Sequence, residues 1–334
     1  MTGFELGLGF QSDKSPEEYI RLARLGEELG FDVLSVYGDL FYQPPIYPLL
    51  MMALNTRAVR LGPACFNPFT LHPVEMAGQT AALDAVSGGR AFLGVARGSW
   101  LDRLGMAPSR PLTALEDALE IVRRLLRGDT TGYTGQVFGL EPGAALAYPV
   151  KRADVPIMIG TWSRQATRLA ARFTDEVKIG GSANPAMLRQ MQDWLAEDLP
   201  RFGRQVNEVG VVMGAVTVVD LDGHQARRRA RREVAMYLDI VLELDSTIQA
   251  PDGLAASLQY LVREGDLEAA GRLIPDDMLD LFALAGTPDQ VSLQVETLAR
   301  AGAHRVDFGT PHGLAEDHGI RLLGDHVLPN FRLG

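Results

Sequence analysis

The chain has 334 residues, 46% hydrophobic and 22% charged, with no low-complexity tract, a composition that excludes a disordered or fibrous protein. A formal net charge of −10 opposes general nucleic-acid binding, and the longest apolar runs fall short of the roughly 20 residues a membrane span requires. The single cysteine, Cys65, excludes an intramolecular disulfide and a cysteine-based metal cluster and fits a reducing compartment.

Residues 1–10 carry no basic group ahead of their apolar stretch, unlike a secretion signal, so a cytoplasmic location is expected. Residues 5–10 alternate glycine with apolar side chains and read as a strand. Ser15, Pro16, Glu17 and Glu18 then open a helix that Gly30 ends. The same alternation continues with strand 33–37, helix 47–55, strand 59–64, helix 73–86, strand 91–96 and helix 112–126. Residues 130–150 lack a helical period and form an insertion, with a small hairpin over 133–140. Strand 156–160, helix 163–172, strand 175–179, helix 185–199, strand 209–219 and helix 223–242 follow. A predominantly helical, acidic insertion occupies 244–282, and Thr287 with Pro288 opens a helix to 301 ahead of an eighth strand, 304–308.

The basic run 227–232 (RRRARR) reads as the solvated face of its helix, with a polyanion or phosphate role as the alternative. Eight apolar strands alternating with helices require a parallel sheet covered by helices. The predicted class is α/β, a (β/α)8 TIM barrel with insertions at about 130–150 and 244–282, in one domain over 1–334. An open dinucleotide-binding sheet would show G-x-G-x-x-G at its first turn, and Gly7 and Gly9 lack the rest of that pattern.

Barrel enzymes carry their chemistry at the carboxyl ends of the strands, so the loops after each apolar run are the candidates. They hold Tyr37-Gly38-Asp39-Leu40 after strand two and Ala64-Cys65-Phe66-Asn67 after strand three. Arg97-Gly98-Ser99-Trp100 follows strand four, Thr161-Trp162-Ser163-Arg164 strand five, and Gly180-Gly181-Ser182 strand six. An acid at a strand end, Asp39, has little structural reason to be buried unpaired, although a helix cap or ion pair is its structural alternative. Ser163 and Arg164 begin a helix, where free N–H groups, a hydroxyl and a guanidinium suit a phosphate, or where Ser163 is a plain cap. Thr161 and Trp162 line the same site, and Gly180, Gly181 and Ser182 form a second anion-binding turn. Cys65 reads as a small buried hydrophobe rather than a reactive thiol. The histidines show no metal-ligand spacing, and no G-x-S-x-G elbow occurs.

In their joint order these segments resemble the bacterial-luciferase-like superfamily, and particularly its coenzyme F420-dependent branch. The matching pieces are Leu29-Gly30-Phe31-Asp32 with Tyr37-Gly38-Asp39, Leu61-Gly62-Pro63 through His72-Pro73, and Ser87-Gly88-Gly89-Arg90 before Gly94-Val95-Ala96-Arg97-Gly98. Pro156-Ile157-Met158-Ile159-Gly160, Gly286-Thr287-Pro288-Asp289-Gln290-Val291 and Ala301-Gly302-Ala303 extend the likeness over nearly the whole chain.

The resemblance implies coenzyme F420 as cofactor, with FMN as the alternative. It also implies a non-prolyl cis peptide at Ala64-Cys65 against the cofactor ring, and Asp39 as the acid near that ring. Ala64, Cys65, Asn67, Arg97, Gly98, Thr161, Trp162, Ser163, Arg164, Gly180, Gly181 and Ser182 become cofactor-binding candidates, with Asp39 and Ser99 as catalytic ones. Asn67 and Thr70 would reach the cofactor's polar edge, and His72 either joins them or caps the third helix. The family's sugar-phosphate dehydrogenases place a histidine after the strand-two aspartate, where this chain has Leu40, and an acid where it has Ser99. The likeness therefore leans to the reductase side, typified by methylenetetrahydromethanopterin reductase, acting on a small molecule and forming a homodimer. A reduced-FMN monooxygenase and a non-catalytic flavin-binding barrel are the alternatives.

Overall fold

The computed structural model describes residues 3–332. Its first half runs β1 (Glu5–Phe10), α1 (Pro16–Glu28), β2 (Val33–Val36), α2 (Ile46–Leu54), β3 (Arg60–Pro63), α3 (Pro73–Val86), β4 (Leu93–Ala96) and α4 (Pro111–Arg127). The hairpin strands β5 (Tyr133–Thr134) and β6 (Gly139–Leu140) precede β7 (Ile157–Gly160), α5 (Arg164–Phe173), β8 (Glu176–Gly180), α6 (Pro185–Asp198), β9 (Gly210–Val219) and α7 (Gly223–Ala235). The chain continues with α8 (Leu238–Leu244), α9 (Leu254–Arg263), α10 (Leu267–Arg272), α11 (Asp276–Phe282), β10 (Ala283–Gly286), α12 (Pro288–Arg300), β11 (Arg305–Gly313), α13 (Glu316–Leu322) and α14 (Pro329–Arg332). No helix among the described residues is long and apolar enough to cross a membrane.

Parallel pairing runs β3-β2-β1-β11-β9-β8-β7-β4. Parallel bridges from Leu61 to Ala91 and from Phe66 to Val95 join β3 to β4 and close the ring, giving the expected TIM barrel. Helix starts follow the local signals: Ser15 and Thr287 form capping boxes, with Glu18 and Gln290 reaching back to the cap N–H. Outside the strands, Leu6, Leu8, Phe10, Leu34, Leu93, Ile159 and Val306 pack against the helices as the main apolar core.

Two elements differ from the sequence reading. Strand β10 was not anticipated, because four residues of type Ala-Leu-Ala-Gly carry no readable period. It exists because β9 is ten residues long. β8 pairs only with its first half, Gly210 to Gly214, and β10 pairs with Val216 to Val219, satisfying backbone groups that would otherwise form an open edge. The helix expected over 223–242 instead divides into α7 and α8 at Tyr237, whose hydroxyl donates to the Phe282 carbonyl at 3.2 Å. The basic run of α7 is neither a plain solvated face nor free for a polyanion. Arg227 pairs with Asp276 and Asp280, Arg228 with Glu268, and Arg231 with Asp276, docking α7 on the acidic helices α10 and α11.

The barrel interior is ionic where such barrels usually stack branched apolar side chains. Arg305, completely buried, donates to Glu176 at 2.7 Å and to Asp307 at 2.9 Å. Lys178 donates to the second oxygen of Asp307 at 2.7 Å. Arg60 completes the column with Glu176 at 3.1 Å and with Glu5. Glycines make room for it. A Cβ on Gly7 would collide with the Asp307 carboxylate, and one on Gly214 would lie 2.8 Å from Lys178 Cε. Burial pushes the Asp307 and Glu176 carboxyls up, but the neighbouring cations outweigh it and hold both below the usual carboxylate range.

Replacing Arg305 by methionine leaves two buried carboxylates short of a cation, and a loss of about 3–5 kcal/mol in urea unfolding at pH 7 is expected. Because depressed carboxyl values stabilise the fold above their unfolded values and lose that contribution as pH falls, the difference from wild type should shrink in acid. A loss below about 1 kcal/mol at pH 7 would mean that the column is not a structural element.

Candidate functional site

The upper end of the ionic column is the floor of a cluster at the carboxyl ends of the strands. Tyr37, just past β2, lays its hydroxyl against the backbone of Gly9 and Gly309, where no side chain competes for the space. The Lys178 ammonium lies 6.0 Å from the centre of that ring. Burial, with the negative charges of Asp307 and Asp39, pushes the Tyr37 phenol far up. Gln11 Nε2 donates to Asp39 Oδ2 at 2.9 Å, and Asp39 Oδ1 meets no protein donor among the described residues. Burial pushes the Asp39 carboxyl up, opposed by that one hydrogen bond.

The Ala64-Cys65 peptide is cis, as the resemblance implied. A Cβ on Gly38 would run into the Cys65 carbonyl, so the loop after β2 supports the loop after β3 directly. Burial pushes the Cys65 thiol up to about 12, against the opposing charge of Lys178, so it stays a neutral thiol at physiological pH. The sulfur packs beside Gly160, bringing the loops after β3 and β7 together. Thr161 follows, its N–H on the Lys178 carbonyl at 3.0 Å, and Trp162 Nε1 donates to the Gly180 carbonyl at 3.1 Å.

Several candidates have other duties. Arg164 forms ion pairs with Asp198 and with Glu197 of α6, so it is not a free phosphate ligand. The N–H groups of Gly181 and Ser182 both donate to the Gly214 carbonyl, at 2.6 and 2.9 Å, so that turn offers an anion neither of them. Asn67 Oδ1 accepts from the N–H groups of Phe69 and Thr70 and shapes its own loop rather than reaching a cofactor edge. His72 caps α3 through the Val74 N–H. Ser163 caps α5 through the Ala166 N–H, a role compatible with a phosphate at the same helix start. Arg97, Ser99 and Trp100 stand exposed at the rim beside Gly98, with Trp100 in the left-handed region at φ 54°.

The acidic insertion walls this end of the barrel. Asn184 Nδ2 donates to Asp245 at 2.8 Å and to Thr247 at 2.9 Å, and the Ala183 N–H donates to the Leu281 carbonyl at 2.8 Å. Tyr237, at the junction of α7 and α8, packs on Gly181. The hairpin of β5 and β6 is anchored by Asp117, which accepts from Tyr133, Val137 and Phe138. Its Phe138 ring meets His72 edge-on at 5.4 Å.

Lys178, Asp307 and Gln11 were missed from sequence. A signal for the first two existed: Glu176 with Lys178, and Arg305 with Asp307, are charged pairs at alternate positions of otherwise apolar strands, which places each pair on one face. A cavity of about 510 Å³ at the opposite, amino-terminal end is lined by Phe4, Gln192, Val206, Val209 and His304. His304 there approaches Glu5 and Glu176, but Arg60 and Arg305 already pair with those carboxylates, so the trio is no free ligand set for a metal.

Because Arg164 is tied to Asp198, Arg164→Gln is expected to lower the melting temperature, corresponding to about 1–2 kcal/mol, by leaving the buried Asp198 with Arg201 alone. Deazaflavin or flavin affinity, measured by fluorescence titration, should change less than about twofold. A tenfold loss of affinity without loss of stability would restore the phosphate role.

Residues 1–305 match the family described as luciferase-like monooxygenase. The 5,10-methylenetetrahydromethanopterin reductase of Archaeoglobus fulgidus is 30% identical over 98% of this chain and 100% of its own length. The enzyme of the same name from Methanopyrus kandleri is 26% identical over 99% of this chain and 100% of its own. The solved structure of coenzyme F420-dependent tetrahydromethanopterin reductase from Methanopyrus kandleri superposes with a TM-score of 0.88 at 24% identity, covering 98% of this chain and 99% of that one, a likeness of fold. Over nearly its whole length, therefore, the chain belongs to the luciferase-like monooxygenase family.

Proposed function

We propose that the protein is a coenzyme F420-dependent oxidoreductase acting as a reductase, with a hydride passing from the reduced deazaflavin to a small organic acceptor. The observation that carries this reading is Asp39: a largely buried carboxyl, hydrogen-bonded by Gln11 alone, raised by burial, and followed by Leu40 instead of a base. An acid held towards its protonated form donates a proton, and completing a hydride reduction consumes one. Similarity over 95% of this chain to the F420-dependent glucose-6-phosphate dehydrogenase of Microbacterium testaceum, 26% identical, supports the choice of cofactor.

The residues fit such a group. A Cβ on Gly180 would meet no atom within 4 Å, Asp39 Oδ1 is free of protein donors among the described residues, and Ala64 and Cys65 form a ledge buttressed by Gly38. When bound, a deazaflavin supplies the hydride, and the protein supplies orientation, dryness and a proton. Ala64 and Cys65 would seat one face of the ring, and the α5 amino terminus with Ser163 would face its phosphate. Trp162 and the Asp245 segment would keep water from the reacting atoms, and Asp39 would protonate the reduced acceptor.

Titrating the purified protein with F420 and with FMN tests the cofactor: F420 binding in the micromolar range or tighter is expected. Tight FMN binding with oxygen uptake and no F420 binding would favour the monooxygenase reading and sink this one. For Asp39, reductive turnover should fall as pH rises through its elevated pKa, because the donating form disappears. Asp39→Asn should lose about 100-fold or more in kcat together with that limb of the pH profile. An Asp39→Asn enzyme with more than half of wild-type kcat would remove Asp39 from the mechanism.

A further inference from the structure

The cation at the top of the ionic column has no role in the chemistry described so far. Lys178 belongs to β8, in register with Gly160, and Gly160 packs on the Cys65 sulfur. Its ammonium therefore lies under the ledge of Ala64 and Cys65, not at the amino-terminal end, where Arg60, Glu5 and Glu176 meet. The groups facing it are Asp307 from β11 at 2.7 Å and the Tyr37 ring at 6.0 Å, and the charges of Lys178, Asp39 and Asp307 all act on the Cys65 thiol. Asp307 is shared, its other oxygen taking Arg305.

A buried ion pair is a poor stabiliser compared with well-packed apolar side chains, and barrels ordinarily fill this layer with them. The interior is also little screened by salt, so a cation fixed there acts on whatever sits above it.

Taking the deazaflavin reading as its basis, we propose that Lys178 is the electrostatic floor of the cofactor site, a fixed cation beneath the ring that favours the ring's anionic form over its neutral one. Asp307 positions the ammonium, and Gly214 provides the space for its stem. Charge beside the ring is one of the means by which a protein tunes such a cofactor.

F420 is a hydroxydeazaflavin whose ring hydroxyl ionises with a change in visible absorption, so the effect can be read without turnover. The pH midpoint of that change is measured for F420 bound to wild type, to Lys178→Met and to the charge-balanced pair Lys178→Met/Asp307→Asn. Removing the cation should raise the midpoint by about one pH unit in Lys178→Met, and by less in the pair, which loses an anion with the cation. A purely structural Lys178 would alter the melting temperature and leave the midpoint unchanged, so equal midpoints in wild type and Lys178→Met, with F420 bound to both, would overturn the proposal. Should Lys178→Met alone fail to fold, Lys178→Gln, which removes the charge but keeps a donor for Asp307, carries the comparison, and an unmoved midpoint there has the same meaning. Absence of F420 binding to wild type would overturn the cofactor reading and this inference with it.

Discussion

The interior ion column is the constraint around which the barrel is arranged. Three carboxylates, Glu5, Glu176 and Asp307, alternate with three cations, Arg60, Arg305 and Lys178, and the set is neutral as a whole. Charges taken out of water cost several kcal/mol each unless their partners are well placed, so the strands must hold these side chains in one arrangement. The glycines of β1 and β9 follow from that requirement, since side chains at Gly7 and Gly214 would occupy the space of Asp307 and Lys178. Most apolar cohesion lies outside the ring, where the strands' other faces meet the helices, while Val33, Phe92, Met158 and Val212 form a small apolar cluster beside Arg305.

The column links the fold to the site because its last members face the carboxyl ends. Tyr37 lies across the top of the barrel, and Asp39, two residues on, takes its bond from Gln11 of the neighbouring loop. Low dielectric and few donors leave Asp39 a weaker acid than an exposed aspartate. The loop after β3 is seated on Gly38 and beside Gly160, so three strand ends shape one ledge. The acidic insertion completes the surround. It is fixed to the barrel by Asn184 to Asp245, by β10 on the upper half of β9, and by the arginines of α7. Individually the exposed pairs of α7 contribute little, but together they set where α10 and α11 dock.

Much of the architecture was legible locally. Apolar runs, helix caps and the glycine-rich stretch before β7 are short-range features, and the loops that form the mouth are those that follow the apolar runs. Asp39 was singled out that way, and Ala64 and Cys65 through the resemblance of their segment to the family. Arg164 and the Gly181-Ser182 turn were read as anion ligands because a guanidinium and a glycine turn suit that chemistry in isolation. Their actual partners, Asp198 and the Gly214 carbonyl, come from elements more than 30 residues away.

The sequence by itself determined the alternation of strands and helices, the helix starts at Ser15 and Thr287, and the strand ends at which chemistry gathers, because periodicity and capping act over a few residues. Only the tertiary structure decided that Lys178 meets Asp307 across 129 positions of the chain, that β10 completes the edge of β9, and which polar groups near the mouth remain free. The physical reason is that a buried charge or backbone group is satisfied by whatever the closed barrel brings beside it, and closure is a property of the whole ring.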